Sequence, residues 1–180
     1  MIRFEESRME FLLDNEEIFA IKFDETTFFD KHYKKLQGSK GIDFLIYDKV
    51  KQEYYLIEVK NFRGSEHEPD TKKRLQIGTI ESVTFETALK VRDTMSCIIG
   101  ANRSEQEETI SKFGNITKRD SPIKVILLLE APSDKTTNYK KLTDDLKKQL
   151  AWLNVKTLVV NKDKLQHSLK WLKIKNMPSE

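Results

Sequence analysis

The alternation and clustering of apolar residues predict six β-strands. Met9, Phe11 and Leu13 occupy every second position of Arg8–Leu13, which indicates a half-buried strand, although a helix across residues 5–14 remains an alternative. The almost entirely apolar run Ile123–Leu129 is typical of a short strand buried on both faces. The other predicted strands are rich in β-branched and aromatic residues, and they are Glu17–Phe23, Ile42–Tyr47, Glu53–Lys60 and Val155–Val160.

Two segments have the three-to-four-residue apolar spacing of amphipathic helices. The first runs from about Glu81 to Gly100, and glycine is a common residue at helix C-termini. The second follows the strand at Ile123–Leu129. The apolar faces are Ala88, Val91, Met95 and Ile98 in the first helix, and Leu142, Leu146, Leu150 and Leu153 in the second.

The remaining segments give weaker signals. A short helix is predicted at Glu25–Leu36, and a loop at the polar segment Asn61–Gly78. The polar stretch Asn102–Ser121 fits either partial disorder or partial helix. The tail Leu165–Lys175 fits either a helix or a closing strand.

The order of these elements predicts an α/β layer fold with a mixed sheet. The chain has 180 residues, about the size of one domain, and contains no internal repeat or low-complexity linker, so we expect one domain over residues 1–180. The longest apolar run, Val125–Leu129, has five residues, whereas a membrane helix needs about 20. A lone Cys97 excludes an intrachain disulfide and a cysteine-based zinc cluster. We therefore expect a soluble cytoplasmic protein that does not bind membranes.

Charge is distributed unevenly along the chain. Residues 1–60 carry 10 basic and 13 acidic side chains, whereas residues 121–180 carry 12 basic and 6 acidic side chains. The basic residues of the last third are all lysines. Lysines concentrated in this way can attract a phosphate backbone, although they also keep protein surfaces soluble.

The two central strands place two acids opposite each other. If the strands form a hairpin in which Asp48 faces Glu53, then Asp43 faces Glu58. Directly opposed side chains lie on one sheet face with Cβ atoms about 4.5–5.5 Å apart. Lys60, two residues after Glu58, points to the same face. Its partner in this register is Gly41, which leaves the patch open, and the reverse face, which would hold Ile42 and Phe44, is predicted to be core.

Opposed carboxylates repel each other, so this pairing requires a compensating positive charge. A divalent cation would supply it, since Mg²⁺ is typically held by one or two carboxylates together with water and phosphate oxygens. Asp43 and Glu58 are therefore candidate metal ligands. The structural alternative is a pair of ordinary surface acids, one of them neutralised by Lys60.

An Asp that opens one strand and a Glu-x-Lys that closes the next resemble the core motif of the PD-(D/E)XK nuclease superfamily, the restriction-endonuclease-like proteins. Asp43 matches the first acid, Glu58 the second and Lys60 the lysine, while Ile42 replaces the proline of the motif. The resemblance covers roughly residues 17–130 and includes uncharacterised bacterial members. It implies an αβββαβ core with a mixed central sheet flanked by helices. The helix and strand predicted after this core would form an extension over residues 138–175.

The resemblance also implies an activity and a set of roles. Asp43, Glu58 and Lys60 would be catalytic in a Mg²⁺- or Mn²⁺-dependent DNA nuclease that hydrolyses phosphodiester bonds. Asp43 and Glu58 would bind the metal, with the backbone carbonyl of Val59 as a further ligand, and Lys60 would act on the nucleophile or the transition state. Many members add an upstream glutamate, for which the sequence offers Glu6, Glu10 and Glu25.

Two other functions stay open at this stage. One is a catalytically inactive module that keeps the nuclease fold for DNA binding or assembly. The other is a nuclease directed at RNA. DNA is the expected partner, and a homodimer is compatible with the sequence.

Overall fold

A computed structural model describes residues 1–65, 67–104, 108–132 and 137–178. Within these residues, eight strands form a three-stranded and a five-stranded sheet. The strands are β1 Ile2–Glu6, β2 Met9–Leu13, β3 Ile18–Lys22, β4 Phe44–Asp48, β5 Glu53–Asn61, β6 Ile123–Glu130, β7 Lys156–Val160 and β8 Leu172–Asn176. The α-helices are α1 Pro69–Arg74, α2 Val83–Ser104, α3 Glu108–Ser111, α4 Tyr139–Gln149 and α5 Lys162–Ser168.

The five-stranded sheet is mixed and has the strand order β3-β4-β5-β6-β7. Strand β4 is antiparallel to both β3 and β5, whereas β5, β6 and β7 run parallel. The connection between β5 and β6 contains α1, α2 and α3. This arrangement confirms the predicted mixed α/β architecture with a central sheet flanked by helices.

Apolar clusters cover both faces of the central sheet. On one face, Leu45 and Leu56 belong to a cluster with Val91 of α2 and Leu146 of α4. On the other face, the cluster combines sheet residues with β2, β8 and the region of α5, and it contains Phe11, Phe44, Tyr55, Ile57, Leu165 and Ile174. Both faces of the central strands are therefore buried, whereas the hairpin pattern predicted core on one face and an open patch on the other.

The N-terminal region departs from prediction. Strand β1 was not predicted, and β2 pairs with β1 and β8, while β3 pairs with β4, so the link between β2 and β3 crosses from one sheet to the other. The helix predicted at Glu25–Leu36 is replaced by a 3₁₀ turn at Phe23–Glu25 and a π-helical turn at Phe29–Tyr33. Thr26 ends the 3₁₀ turn because its N–H and its hydroxyl both donate to the carbonyl of Phe23.

The later segments contain more structure than the sequence predicted. The predicted loop at residues 61–78 contains α1, which begins with Pro69 in the position that favours helix initiation. Helix α2 continues past Gly100 to Ser104, since burial of Ala101 outweighs the modest cost of a glycine within a helix.

The two ambiguous segments contain helices. The polar stretch at residues 102–121 includes α3 and a 3₁₀ turn at Gly114–Thr117, while residues 105–107 lie outside the described residues. The tail forms both alternatives, α5 followed by β8. No helix in the described part of the chain is long and apolar enough to cross a membrane.

Candidate active site

The hairpin register predicted from the sequence is confirmed. Asp48 is paired with Glu53 and Phe44 with Ile57, in an antiparallel ladder without a bulge. Asp43 directly precedes β4, so the same register brings it to the level of Glu58. The turn that sets this register is closed by Asp48, whose Oδ1 accepts hydrogen bonds from two turn N–H groups.

Asp43 and Glu58 converge on a single ammonium group, that of Lys90. The Nζ of Lys90 lies 3.0 Å from Asp43 Oδ1, 2.7 Å from Glu58 Oε1 and 2.9 Å from Glu58 Oε2. The Nζ of Lys60 lies 2.7 Å from Glu58 Oε1. The two carboxylates therefore lie within reach of one cation, with Lys60 beside them, as the register implies.

Lys90 was missed by sequence reasoning. It lies on α2, one residue before the buried Val91, and its side chain is 12 % exposed. Glu86 lies four residues earlier, so the two side chains share one helix face. A Glu and a Lys at this spacing beside the apolar face of a predicted helix indicate a polar pair on α2, but the spacing does not specify which element that pair contacts.

Glu86 is the centre of a second group of charges next to the first. Its Oε1 lies 3.3 Å from Lys60 Nζ and 3.6 Å from Lys40 Nζ, and its Oε2 accepts a hydrogen bond from Arg74 of α1. Burial raises the pKa of Glu86, but the surrounding cations outweigh burial and hold this pKa below its ordinary value. Lys60 is thus held between two carboxylates, one from β5 and one from α2.

Burial dominates the electrostatics of Glu58. The side chain is 0 % exposed, and this burial, followed by repulsion from Asp43, raises the pKa of Glu58 to about 7 despite the two lysines. Burial lowers the pKa of Lys90, but the Glu58 and Asp43 carboxylates outweigh it and hold this pKa above its ordinary value. Glu58 Oε1 has two ammonium groups at 2.7 Å but accepts no hydrogen bond of good geometry within the described residues.

Backbone contacts fix the position of Asp43. Its Oδ2 accepts a 2.7 Å hydrogen bond from the N–H of Val59, and its carbonyl accepts one from the N–H of Phe23. The segment before it is tied to α2, because the N–H of Ile42 donates to Thr94 Oγ1. Only Oδ1 of the Asp43 carboxylate therefore faces the cation position.

Two details of the predicted patch are wrong. Gly41 does not leave an open space beside Lys60, because a Cβ there would lie 3.1 Å from the Phe23 ring and 3.2 Å from the Phe29 ring. Ile42 belongs to the helix-side cluster and not to the face of Phe44, since the chain leaves the strand geometry before β4 begins. Both differences follow from the packing of this segment against α2 and the turns after β3.

None of the three upstream glutamates joins the site. Glu6 and Glu25 both pair with Lys22, and Glu10 pairs with Arg3. Asp24, in contrast, interacts electrostatically with the site. Burial and then repulsion from Asp43 raise the pKa of Asp24 to about 6. In the part of the chain that the structure describes, no group of three or more Asp, Glu, His or Cys side chains could hold a metal ion.

Two carboxylates are nevertheless enough for Mg²⁺, which commonly keeps several waters and takes phosphate oxygens as ligands. Asp43 Oδ1 and the buried Glu58 Oε1 are the oxygens that would hold it. The Lys90 ammonium occupies the position between these two oxygens. Asp43 and Glu58 therefore fit a divalent ion when this ammonium moves away. The Val59 carbonyl stays a prediction as a ligand.

A cavity of about 700 Å³ lies between α1 and the start of α4. Lys72 and Lys141 line it from opposite sides, together with Thr71 and Asn138. Arg74, at the end of α1, contacts Glu86, so α1 connects this cavity to the ion-pair group. The cavity therefore offers a basic surface, which α1 links to the ion pairs of Glu86.

No family model, curated protein or solved structure matches the chain. The resemblance to the PD-(D/E)XK superfamily consequently stays a prediction that depends on Asp43, Glu58 and Lys60. Function has to be argued from the chemistry of these residues.

Proposed function

We propose that the protein is a Mg²⁺- or Mn²⁺-dependent nuclease that hydrolyses phosphodiester bonds in DNA. The observation that carries this proposal is the convergence of Asp43 and Glu58 on one cation position, with Lys60 2.7 Å from Glu58. Paired acids that are buried and aimed at one point are costly for a fold, and such groups are often found at functional sites.

The order of elements supports a restriction-endonuclease-like core. Strands β3, β4 and β5, helix α2 and strand β6 follow the sequence strand–strand–strand–helix–strand of the predicted αβββαβ core. The helix expected before the first strand has no counterpart in residues 1–17, where β1 and β2 lie instead. The proposed core is therefore built with a small sheet in place of that helix.

Each site residue has a distinct role in the proposed reaction. A bound Mg²⁺ would acidify a water and stabilise charge on the scissile phosphate. Asp43 and Glu58 hold the position for the ion. Lys60, fixed between Glu58 and Glu86, directs its positive charge toward the attacking hydroxide or the phosphate oxygens, and this preorganisation lowers the barrier.

The basic surface supports a nucleic-acid substrate. Lys72 and Lys141 line the cavity beside α1, and the C-terminal third of the chain has twice as many basic as acidic residues. Contacts of this kind bind the phosphate backbone without reading its sequence. Competition between DNA and RNA in the same assay distinguishes the proposed substrate from the RNA alternative.

One observation favours a second candidate, an inactive module with the nuclease fold that binds DNA or takes part in assembly. Lys90 and Lys60 already supply two positive charges beside the two carboxylates, so the site needs no metal ion for charge balance. In that case the carboxylates would only fasten α2 to the sheet.

Cleavage of supercoiled plasmid in Mg²⁺ or Mn²⁺ tests the proposal. We expect nicking or cutting that EDTA abolishes and that Asp43→Asn and Lys60→Met each reduce by at least about 100-fold. Matched controls come from the ion pair between Glu53 and Lys124, 2.7 Å apart at the opposite end of β5. Glu53→Gln and Lys124→Met should cleave like the wild type. Absence of metal-dependent cleavage, with DNA binding unaffected by Asp43→Asn, would favour the inactive module.

A further inference from the structure

Lys90 lies where a metal ion would have to lie. Its Nζ is within 3.0 Å of three carboxylate oxygens, one from Asp43 and two from Glu58. We propose that this ammonium is the resident cation of the metal-free site and that a divalent ion binds only by displacing it. The identity of the ion rests on the proposed function, whereas the exchange itself rests on the contacts of Lys90.

The two cations exclude each other for steric and electrostatic reasons. Mg²⁺ binds carboxylate oxygens at about 2.1 Å, so an ion held by Asp43 Oδ1 and Glu58 would contact the same oxygens that Lys90 contacts now. Two positive charges this close, in a site from which water is largely excluded, repel strongly. Simultaneous binding is therefore ruled out unless the lysine moves.

The helix offers Lys90 a second acid, Glu86, which it would share with Lys60, Lys40 and Arg74. Glu86 is four residues earlier on the same face of α2, a spacing at which Glu and Lys side chains attract each other. Glu86 is 20 % exposed and Lys90 12 % exposed, so in the proposed exchange the ammonium would move from the sheet toward the more exposed acid. Lys60 stays beside Glu58 and continues to neutralise part of its charge.

This exchange weakens metal binding in the wild type, because the ion must first replace a strongly held ammonium. Lys90→Met removes the competitor and keeps a side chain of similar length. The matched control is Arg92→Met, which removes a positive charge from the same helix at a side chain that is 57 % exposed and pairs with Asp93.

The test measures the dissociation constant of Mn²⁺ without DNA, by calorimetry or by the spin resonance of the free ion. We expect Lys90→Met to bind Mn²⁺ at least about tenfold more tightly than the wild type, and Arg92→Met to bind like the wild type. Equal affinity of Lys90→Met and the wild type would overturn the proposal.

A second measurement uses the wild type alone and decides the question if Lys90→Met does not fold. Reductive methylation read by mass spectrometry reports the accessibility of each lysine. Saturating Mg²⁺ should increase the labelling of Lys90 and leave that of the distant, ion-paired Lys124 unchanged. Unchanged protection of Lys90, while Mg²⁺ raises the melting temperature, would overturn the exchange.

These results separate the exchange from the nuclease proposal. Tighter Mn²⁺ binding by Lys90→Met together with an absence of cleavage would support the exchange and contradict the nuclease. Cleavage by the wild type, together with equal Mn²⁺ affinity in Lys90→Met and the wild type, would support the nuclease and contradict the exchange. An absence of Mn²⁺ binding in both proteins would contradict both.

Discussion

Glu58→Gln should change the way in which stability depends on pH. The pKa of Glu58 is raised from an ordinary 4.5 to about 7, by burial first and by Asp43 second. Between these two pH values the folded protein keeps a proton that the unfolded chain releases. Stability contributed by this group therefore falls as the pH rises through this window. Glutamine does not titrate, so the variant lacks this loss.

The size of the effect follows from the gap between the two pKa values. One pKa unit corresponds to about 1.4 kcal/mol, so the gap is worth roughly 3 kcal/mol. Urea denaturation in EDTA at several pH values from 5 to 8 measures it as the difference in unfolding free energy between wild type and variant. We expect the wild type to lose about 2–3 kcal/mol relative to Glu58→Gln across this range.

Glu53→Gln is the control, and its difference from the wild type should stay constant between pH 5 and 8. Burial raises the pKa of Glu53, but its hydrogen bonds from Lys124 and Tyr55 outweigh burial and lower it. Stability contributed by Glu53 is therefore present above its ordinary pKa and is lost as the pH falls below it. The prediction fails if the difference in unfolding free energy between the wild type and Glu58→Gln stays constant as the pH rises. It also fails if this difference shifts in favour of the wild type. Either result would mean that the lysines keep Glu58 ionised throughout.

Three further predictions concern stability, metal choice and DNA affinity. Asp43→Ala should destabilise the metal-free protein by about 1–3 kcal/mol in urea denaturation, since it leaves the buried Val59 N–H without an acceptor and Lys90 with Glu58 as its remaining partner; an unchanged midpoint would contradict this. Ca²⁺ should support DNA binding with little cleavage, because its longer and looser coordination positions water poorly, and efficient cleavage in Ca²⁺ would argue against the proposed chemistry. Charge reversal at Lys140 and Lys141 should flatten the dependence of DNA affinity on salt in fluorescence titrations, and an unchanged slope would exclude these lysines from the interface.

The hairpin could be predicted because its determinants are local. Asp48 accepts two hydrogen bonds within the turn, and the short loop between two neighbouring strands sets their register. From that register, the proximity of Asp43, Glu58 and Lys60 follows directly. Repulsion between the two acids correctly indicated a compensating charge.

The source of that charge could not be read from the sequence. Lys90 reaches the carboxylates through packing of α2 on the sheet, more than 30 residues later in the chain, and neither helix periodicity nor composition specifies that docking. Strand β1 was missed for a different reason. It forms a local hairpin with β2 through Ser7 and Arg8, which both have positive φ, and neither is a residue type that signals such a turn.

A crystal soaked in Mn²⁺ tests most directly whether the two acids form a metal centre. The anomalous signal of Mn²⁺ locates the ion independently of any activity. The account predicts a peak that bridges Asp43 Oδ1 and the Glu58 carboxylate, with the Lys90 ammonium turned away from both. Saturating Mn²⁺ that leaves no peak there, with Lys90 still in contact with both carboxylates, would contradict it.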